Sequence, residues 1–174
     1  MPELDFIVFL IVFAIILVEL FLSFFWVPIY YRHGIRIFYK RINASGPYMP
    51  LVNDKELSKE LKGGWGPSLV FKSISSTETA FREKAFQFRI FNSTPIMHGL
   101  IRFSQHDRQI EVIGHLNWFI LTFTLIALST LFGMHDAVFI IFFFVVVFLL
   151  CFLFQVARYN KLVQVLEQKY HGVA

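Results

Sequence analysis

The sequence predicts an α+β integral membrane protein: three transmembrane helices, one N-terminal and two forming a C-terminal helical hairpin, with a small β-rich cytosolic module inserted between helices 1 and 2. Three observations carry this. Of 174 residues, 56% are hydrophobic and only 16% charged, and the mean hydropathy is +0.61, outside the range of an ordinary soluble domain. The apolar residues are concentrated in residues 1–30 and 116–157. All 16 Lys and Arg lie within 32–108 or 158–169, so the N-terminal tail and the tip between the second and third apolar runs carry no cation.

The first apolar run, residues 4–31, holds a single internal carboxylate, Glu19, with Asp5 at its outer end. A helix rises about 1.5 Å per residue, so roughly 20 apolar residues cross a hydrocarbon core of about 30 Å. No water is available there to satisfy a backbone, so the segment must be helical. A cleaved signal starts with positive charge and ends in small residues. This run starts with Glu3 and Asp5 and ends in Phe24, Phe25, Trp26 and Val27, which predicts an uncleaved anchor. Trp26, Tyr30 and Tyr31 suit the headgroup level, and Pro28 suits a kink or an ending. Arg32, His33, Arg36, Lys40 and Arg41 then arrive together, the mark of a cytoplasmic flank.

Residues 32–115 form the module. Residues 34–40 read as a short extended or interfacial segment, and Ala44, Ser45, Gly46 and Pro47 as a turn. Asn53 and Glu56 have capping-box spacing, opening a helix to about Lys62, where Gly63 and Gly64 stop it. Trp65, Gly66 and Pro67 read as a rigid turn, and residues 68–75 alternate as a strand. Over 76–91 the expectation is a short helix or turn, capped by Ser75 and Glu78 with Phe81, Ala85 and Phe88 on one face, then a strand over 85–91. Residues 96–104 and 109–115 alternate around a turn centred on His106 and Asp107, a hairpin pattern. In that register Phe103 faces Ile110, Ile101 faces Val112, Gly99 faces Gly114 and His98 faces His115. Arg102 faces Glu111, a structural cross-strand pair on the polar side of the ribbon.

Residues 116–134 and 137–157 are the second and third spans, separated only by a tight tip, and residues 158–174 are a cytosolic helical tail bearing Arg158, Lys161 and Lys169. The positive-inside bias then puts the N-terminus outside and the module and C-terminus inside a bacterial inner (plasma) membrane, as a multi-pass protein. Cys151 is the only cysteine, which excludes an internal disulfide. The pI near 9.3 reports topology here; no basic run interleaved with aromatics points to nucleic acid.

Glu19 is the sharpest candidate site, because a carboxylate at membrane depth is costly. Matched by depth, it faces Thr122 or Thr124 as an intramembrane polar contact. The alternatives to that structural role are docking to another subunit and a proton or ion site. His98 and His115 form a possible ligand pair, but no third metal ligand is spaced to join them, so structural histidines near the headgroups are expected, as is a helix-starting turn at His135 and Asp136. Motifs for phosphate binding, hydrolysis or metalloproteolysis are absent, and no cofactor is expected. Phe139, Phe142, Phe143, Phe144, Phe148, Phe152 and Phe154 surround the third span, so it contacts lipid or protein on every side. The module's thirteen cations against seven acids favour an anionic leaflet. In layout the chain resembles bacterial membrane proteins that join spans to a PH-like β module, without a shared motif.

These features point to a non-catalytic subunit or scaffold of a larger inner-membrane complex, contacting lipids, other integral membrane subunits or a second copy of itself. The alternative is a transporter or channel component using Glu19. On this topology a cysteine introduced near Asn43 resists a membrane-impermeant thiol reagent in intact cells, while one near Met134 reacts. The reverse labelling pattern would overturn the orientation.

Overall fold

Alternating apolar and polar residues build five strands in the computed structural model, which describes residues 2–43, 57–59, 61, 69–83, 97–104, 106–118, 120–122, 124 and 137–171. The chain is α+β. Helix α1 (Pro2–Phe24) and the one-turn α2 (Pro28–Arg32) precede β1 (Arg36–Asn43), β2 (Leu69–Ser73), β3 (Glu78–Glu83), β4 (Met97–Ser104) and β5 (Gln109–Leu116), and the long α3 (Ala137–His171) closes the chain. The strands form one antiparallel sheet in the order β1-β5-β4-β3-β2.

The β4–β5 hairpin has the expected register, with Phe103 opposite Ile110, Ile101 opposite Val112, Arg102 opposite Glu111 and His98 opposite His115. Residues 34–40 contribute to β1, which pairs with β5 through an irregularity between Arg36 and Phe38. The helix expected after Ser75 is not formed: Glu78–Glu83 is a strand lying between β2 and β4. Glu78 faces Arg102 across strands instead of capping a helix, and Phe81 lies opposite Gly99. Cross-strand packing has overridden a helical spacing of apolar residues. Residues 57–59 are helical as expected, whereas the cap at Asn53 and Glu56, the turns at residues 44–47 and 65–67 and the strand at 85–91 lie outside the described residues. Leu116 ends β5, and residues 118, 120–122 and 124 are helical; the rest of the second span and its tip with His135 and Asp136 lie outside the described residues. The third run and the tail form one 35-residue helix without a break at residue 157.

Three spans were expected. Among the described residues one helix, over Val145–Tyr170 within α3, is long and apolar enough to cross a membrane, and Leu10–Phe24 is a shorter apolar stretch. From Gln155 onward α3 packs on the sheet, burying Tyr159, Leu162, Val163, Leu166 and Tyr170.

The sheet is covered on both faces. On one lie Phe38, Ile42, Phe71, Phe81, Ile101, Phe103, Ile110 and Val112 with the second half of α3. Gly99 and Gly114 are paired at its centre, and their missing side chains leave a trough. A Cβ on Gly99 would lie 2.0 Å from the Phe81 ring, and one on Gly114 2.7 Å from the Tyr159 ring. Tyr159 therefore lies edge-on between Phe38 and Phe81, with ring centroids 5.3 and 5.0 Å away. On the other face Tyr30 and Tyr31 cover Ala80, Leu100 and Ile113, with Leu22 and Trp26 alongside.

The Tyr159 hydroxyl is buried without a hydrogen-bond partner among the described residues, so its ring is what counts. Tyr159→Phe is expected to leave the unfolding midpoint unchanged or raised in detergent. Tyr159→Ala, which empties the trough, should cost about 3–5 kcal/mol. Equal losses in both variants would show that the hydroxyl, not the ring, holds α3.

Candidate functional site

A polar cluster is built where three segments meet: the end of α1, the α2 turn, and the junction at which β5 becomes helical. Glu19, on α1, is only 3% exposed. Its Oε1 accepts the Tyr30 hydroxyl at 2.7 Å and the Trp118 backbone N–H at 2.7 Å. The second bond has a simple cause. Trp118 begins a helix, where backbone N–H groups have no partner within the helix, and a carboxylate is well placed to accept one.

Tyr30 reaches Glu19 because the backbone reverses after α1. Val27 donates to Leu22 O at 3.0 Å and Trp26 to Ser23 O at 3.4 Å, with Trp26 at φ 58°. This is a Schellman ending, in which glycine usually takes the left-handed position. Pro28 then starts α2.

From Tyr30 the network runs inward. Its hydroxyl lies 3.3 Å from Asn117 Oδ1, and Asn117 meets His98 Nδ1 at 2.7 Å. His98 Nε2 reaches the Tyr30 carbonyl at 3.0 Å, and the two rings stack at 4.0 Å. Burial pushes His98 down to about 4, and the neighbouring His115 adds to the shift. A neutral ring donates from Nε2 to the carbonyl and accepts at Nδ1, which the Asn117 amide satisfies when its NH2 is turned toward the ring. His115 is also pushed down to about 4, by burial first and then by Arg36 and His33. The arrangement is a polar lock across four segments.

The expected partners of Glu19 are not its partners. Thr122 and Thr124 donate back to Trp118 O and Ile120 O, each four residues earlier, the bond a hydroxyl makes when it stays within its own helix. Glu19 instead meets the start of that helix, at the Trp118 N–H. His98 and His115 lie side by side, ring centroids 5.5 Å apart, and both are buried within the protein. Both His98 nitrogens are engaged by protein, and no group of three or more metal-binding side chains occurs among the described residues. Arg102 and Glu111 are opposite as expected at 3.9 Å, yet each has a closer partner: Glu78 at 3.1 Å from Arg102, and Arg41 at 3.1 Å from Glu111. Cys151 packs partly buried against the core.

Sequence reasoning missed Tyr30, Asn117 and Trp118 as a unit. The available signal was an amide directly before a tryptophan at a strand-to-helix boundary. It also missed Glu83, a buried carboxylate that accepts from Gln155 Nε2 at 3.1 Å and from Arg158. Comparison with protein-family models, curated proteins and solved structures finds no match for this chain.

The histidines set a pH dependence. Their ordinary value is near 6.5 and the folded values are about 4, so in between the unfolded chain binds protons that the folded chain refuses. Stability is then complete above about pH 6.5 and falls as pH drops toward 4, by at most about 1.4 kcal/mol per pH unit for each histidine. Unfolding midpoints at pH 7.5 and 5 check this; His98→Gln with His115→Gln should flatten the difference, and an unchanged slope would refute the assignment.

Proposed function

We propose that this chain is a non-catalytic integral membrane subunit or scaffold, crossing the bilayer three times with its N-terminus outside and its sheet on the cytoplasmic side. One observation carries the reading. The large exposed apolar side chains of the described residues are concentrated on α1 and the end of its turn, and on the first half of α3. Phe21 and Phe24 are 56% and 64% exposed, Phe142 and Phe154 69% and 63%. Contiguous apolar surface of this extent marks a lipid or protein contact. The sheet, by contrast, has helices on both faces.

On α3 the exposed apolar run ends between Phe154 and the fully buried Gln155; from α1 it runs through Phe25 to Ile29 of α2. The stretch from Ala137 to Phe154 spans about 27 Å at about 1.5 Å per residue, close to a hydrocarbon core. The apolar run from Trp118 to Met134 would supply the return span.

Partner contact is assigned to the aromatic surface of α3 and not to Glu19, whose Oε1 already accepts two bonds within the chain. A proton or ion path through Glu19 would have to break both. The test is purification from membranes in mild detergent. Integral membrane partners should co-purify, Phe142→Ala with Phe143→Ala should loosen them, and Glu19→Gln, which keeps a carbonyl oxygen for Tyr30 and Trp118, should not. Recovery of the chain alone, with an ion flux in liposomes that Glu19→Gln abolishes, would replace this reading with transport.

A further inference from the structure

Several arginines on and around the sheet have a carboxylate: Arg32 and Arg102 share Glu78, Arg41 meets Glu111, and Arg158 meets the buried Glu83. Arg82, on β3, has none among the described residues. Its guanidinium carbon lies 4.9 Å from the centroid of the Trp26 ring, and Trp26 is stacked on Tyr31 at 5.4 Å. The Tyr31 hydroxyl donates to Ser23 O at 3.2 Å. Nη1 reaches the Glu83 carbonyl at 3.5 Å, and Nε is buried without an acceptor. An aromatic face thus holds a guanidinium whose charge nothing in the described residues neutralises.

Its position gives that charge a meaning. Phe81 lies opposite Gly99, so Arg82 is toward the Met97 end of β4, the end at which β5 runs into residues 118–124. Trp26 directly follows the exposed Phe24 and Phe25. Trp26 also occupies a left-handed conformation, φ 58°, that is strained for a bulky residue. Strain of this kind persists where the surroundings require it, and here the indole is the platform under Arg82.

From this geometry we propose that Arg82, seated on Trp26, binds the phosphodiester group of a membrane phospholipid, with anionic headgroups preferred. The inference rests on the membrane reading above. A planar fork of donors matches phosphate oxygens, and an indole belongs at headgroup depth. The preference for anionic lipid follows from the excess of cations in residues 32–115, which disfavours a headgroup carrying its own cation.

The full-length chain is reconstituted in phosphatidylcholine vesicles containing a minor share of phosphatidylglycerol, re-extracted in mild detergent, and its retained lipids are counted by native mass spectrometry. Wild type should retain phosphatidylglycerol preferentially. Arg82→Gln should weaken retention about tenfold, the loss of one charge-assisted contact; Arg82→Lys should fall between, and Lys72→Gln, at an exposed cation on β2, should match wild type. Undiminished retention by folded Arg82→Gln overturns the proposal. If that variant unfolds, Arg82→Lys and Trp26→Leu decide it: weakened retention in both supports the site, and wild-type retention in either overturns it. Displacement of the lipid by millimolar inorganic phosphate would assign the site to free phosphate and overturn the lipid assignment, as would loss of a bound protein in place of lipid. Extraction of the chain from membranes by alkaline carbonate would sink the membrane reading itself, whereas a carbonate-resistant chain with Arg82-independent lipid retention sinks only the headgroup site.

Discussion

A carboxyl group removed from water must be met by donors, and Glu19 is met by a phenol and a backbone N–H. Neither is near it in sequence. Eleven residues along a straight helix Tyr30 would be about 16 Å away. The reversal at Trp26 removes that distance, and Tyr30 then carries the contact onward to Asn117 and, through its carbonyl and its ring, to His98. Breaking the Glu19 contact would leave a buried hydroxyl and a helix-initiating N–H without their acceptor, each a loss of about 1–3 kcal/mol. The α1–α2 turn and the start of the helical residues after β5 meet at that carboxylate.

The two faces of the sheet are held by different physics. The α3 face is a shape match: two glycines remove side chains, and Phe38, Phe81 and Tyr159 refill the space. The α2 face is a polar network roofed by aromatic rings, in which stacking of Tyr30 on His98 and of Trp26 on Tyr31 keeps water from the hydrogen bonds. Farther along the same face Glu78 joins Arg32, from α2, to Arg102, from β4. These ions are partly exposed and contribute little energy, but they fix which way the short helix lies on the sheet.

The hairpin was legible in the sequence because alternation and an opposite-charge pair agreed on one register, and a slip of one residue would have lost both. The strand at Glu78–Glu83 was not legible. Ser75 and Glu78 have the spacing of a helix cap, and the opposing fact, that Phe81 fills the space over Gly99, exists only once the strands are paired. The same limit applies to Glu19. Its burial and need for a partner could be read from one carboxylate in an apolar run, whereas the identity of the partner depended on a left-handed tryptophan in a position where glycine is the usual signal. His98 and His115 are opposite each other as the alternation indicated, but their burial was not legible, since the tyrosines that cover them come from sixty or more residues earlier in the chain.

Helix α3 passes from its lipid-like surface to its sheet-docked surface without a turn, a glycine or a proline between Ala137 and His171. Both halves therefore share one helical phase. Each residue added or removed between them would rotate one half against the other by about 100°, carrying Tyr159 out of its trough. The helix behaves as a rigid shaft keyed into the sheet, so any twist imposed on its apolar half by neighbouring molecules would reach the sheet as torque.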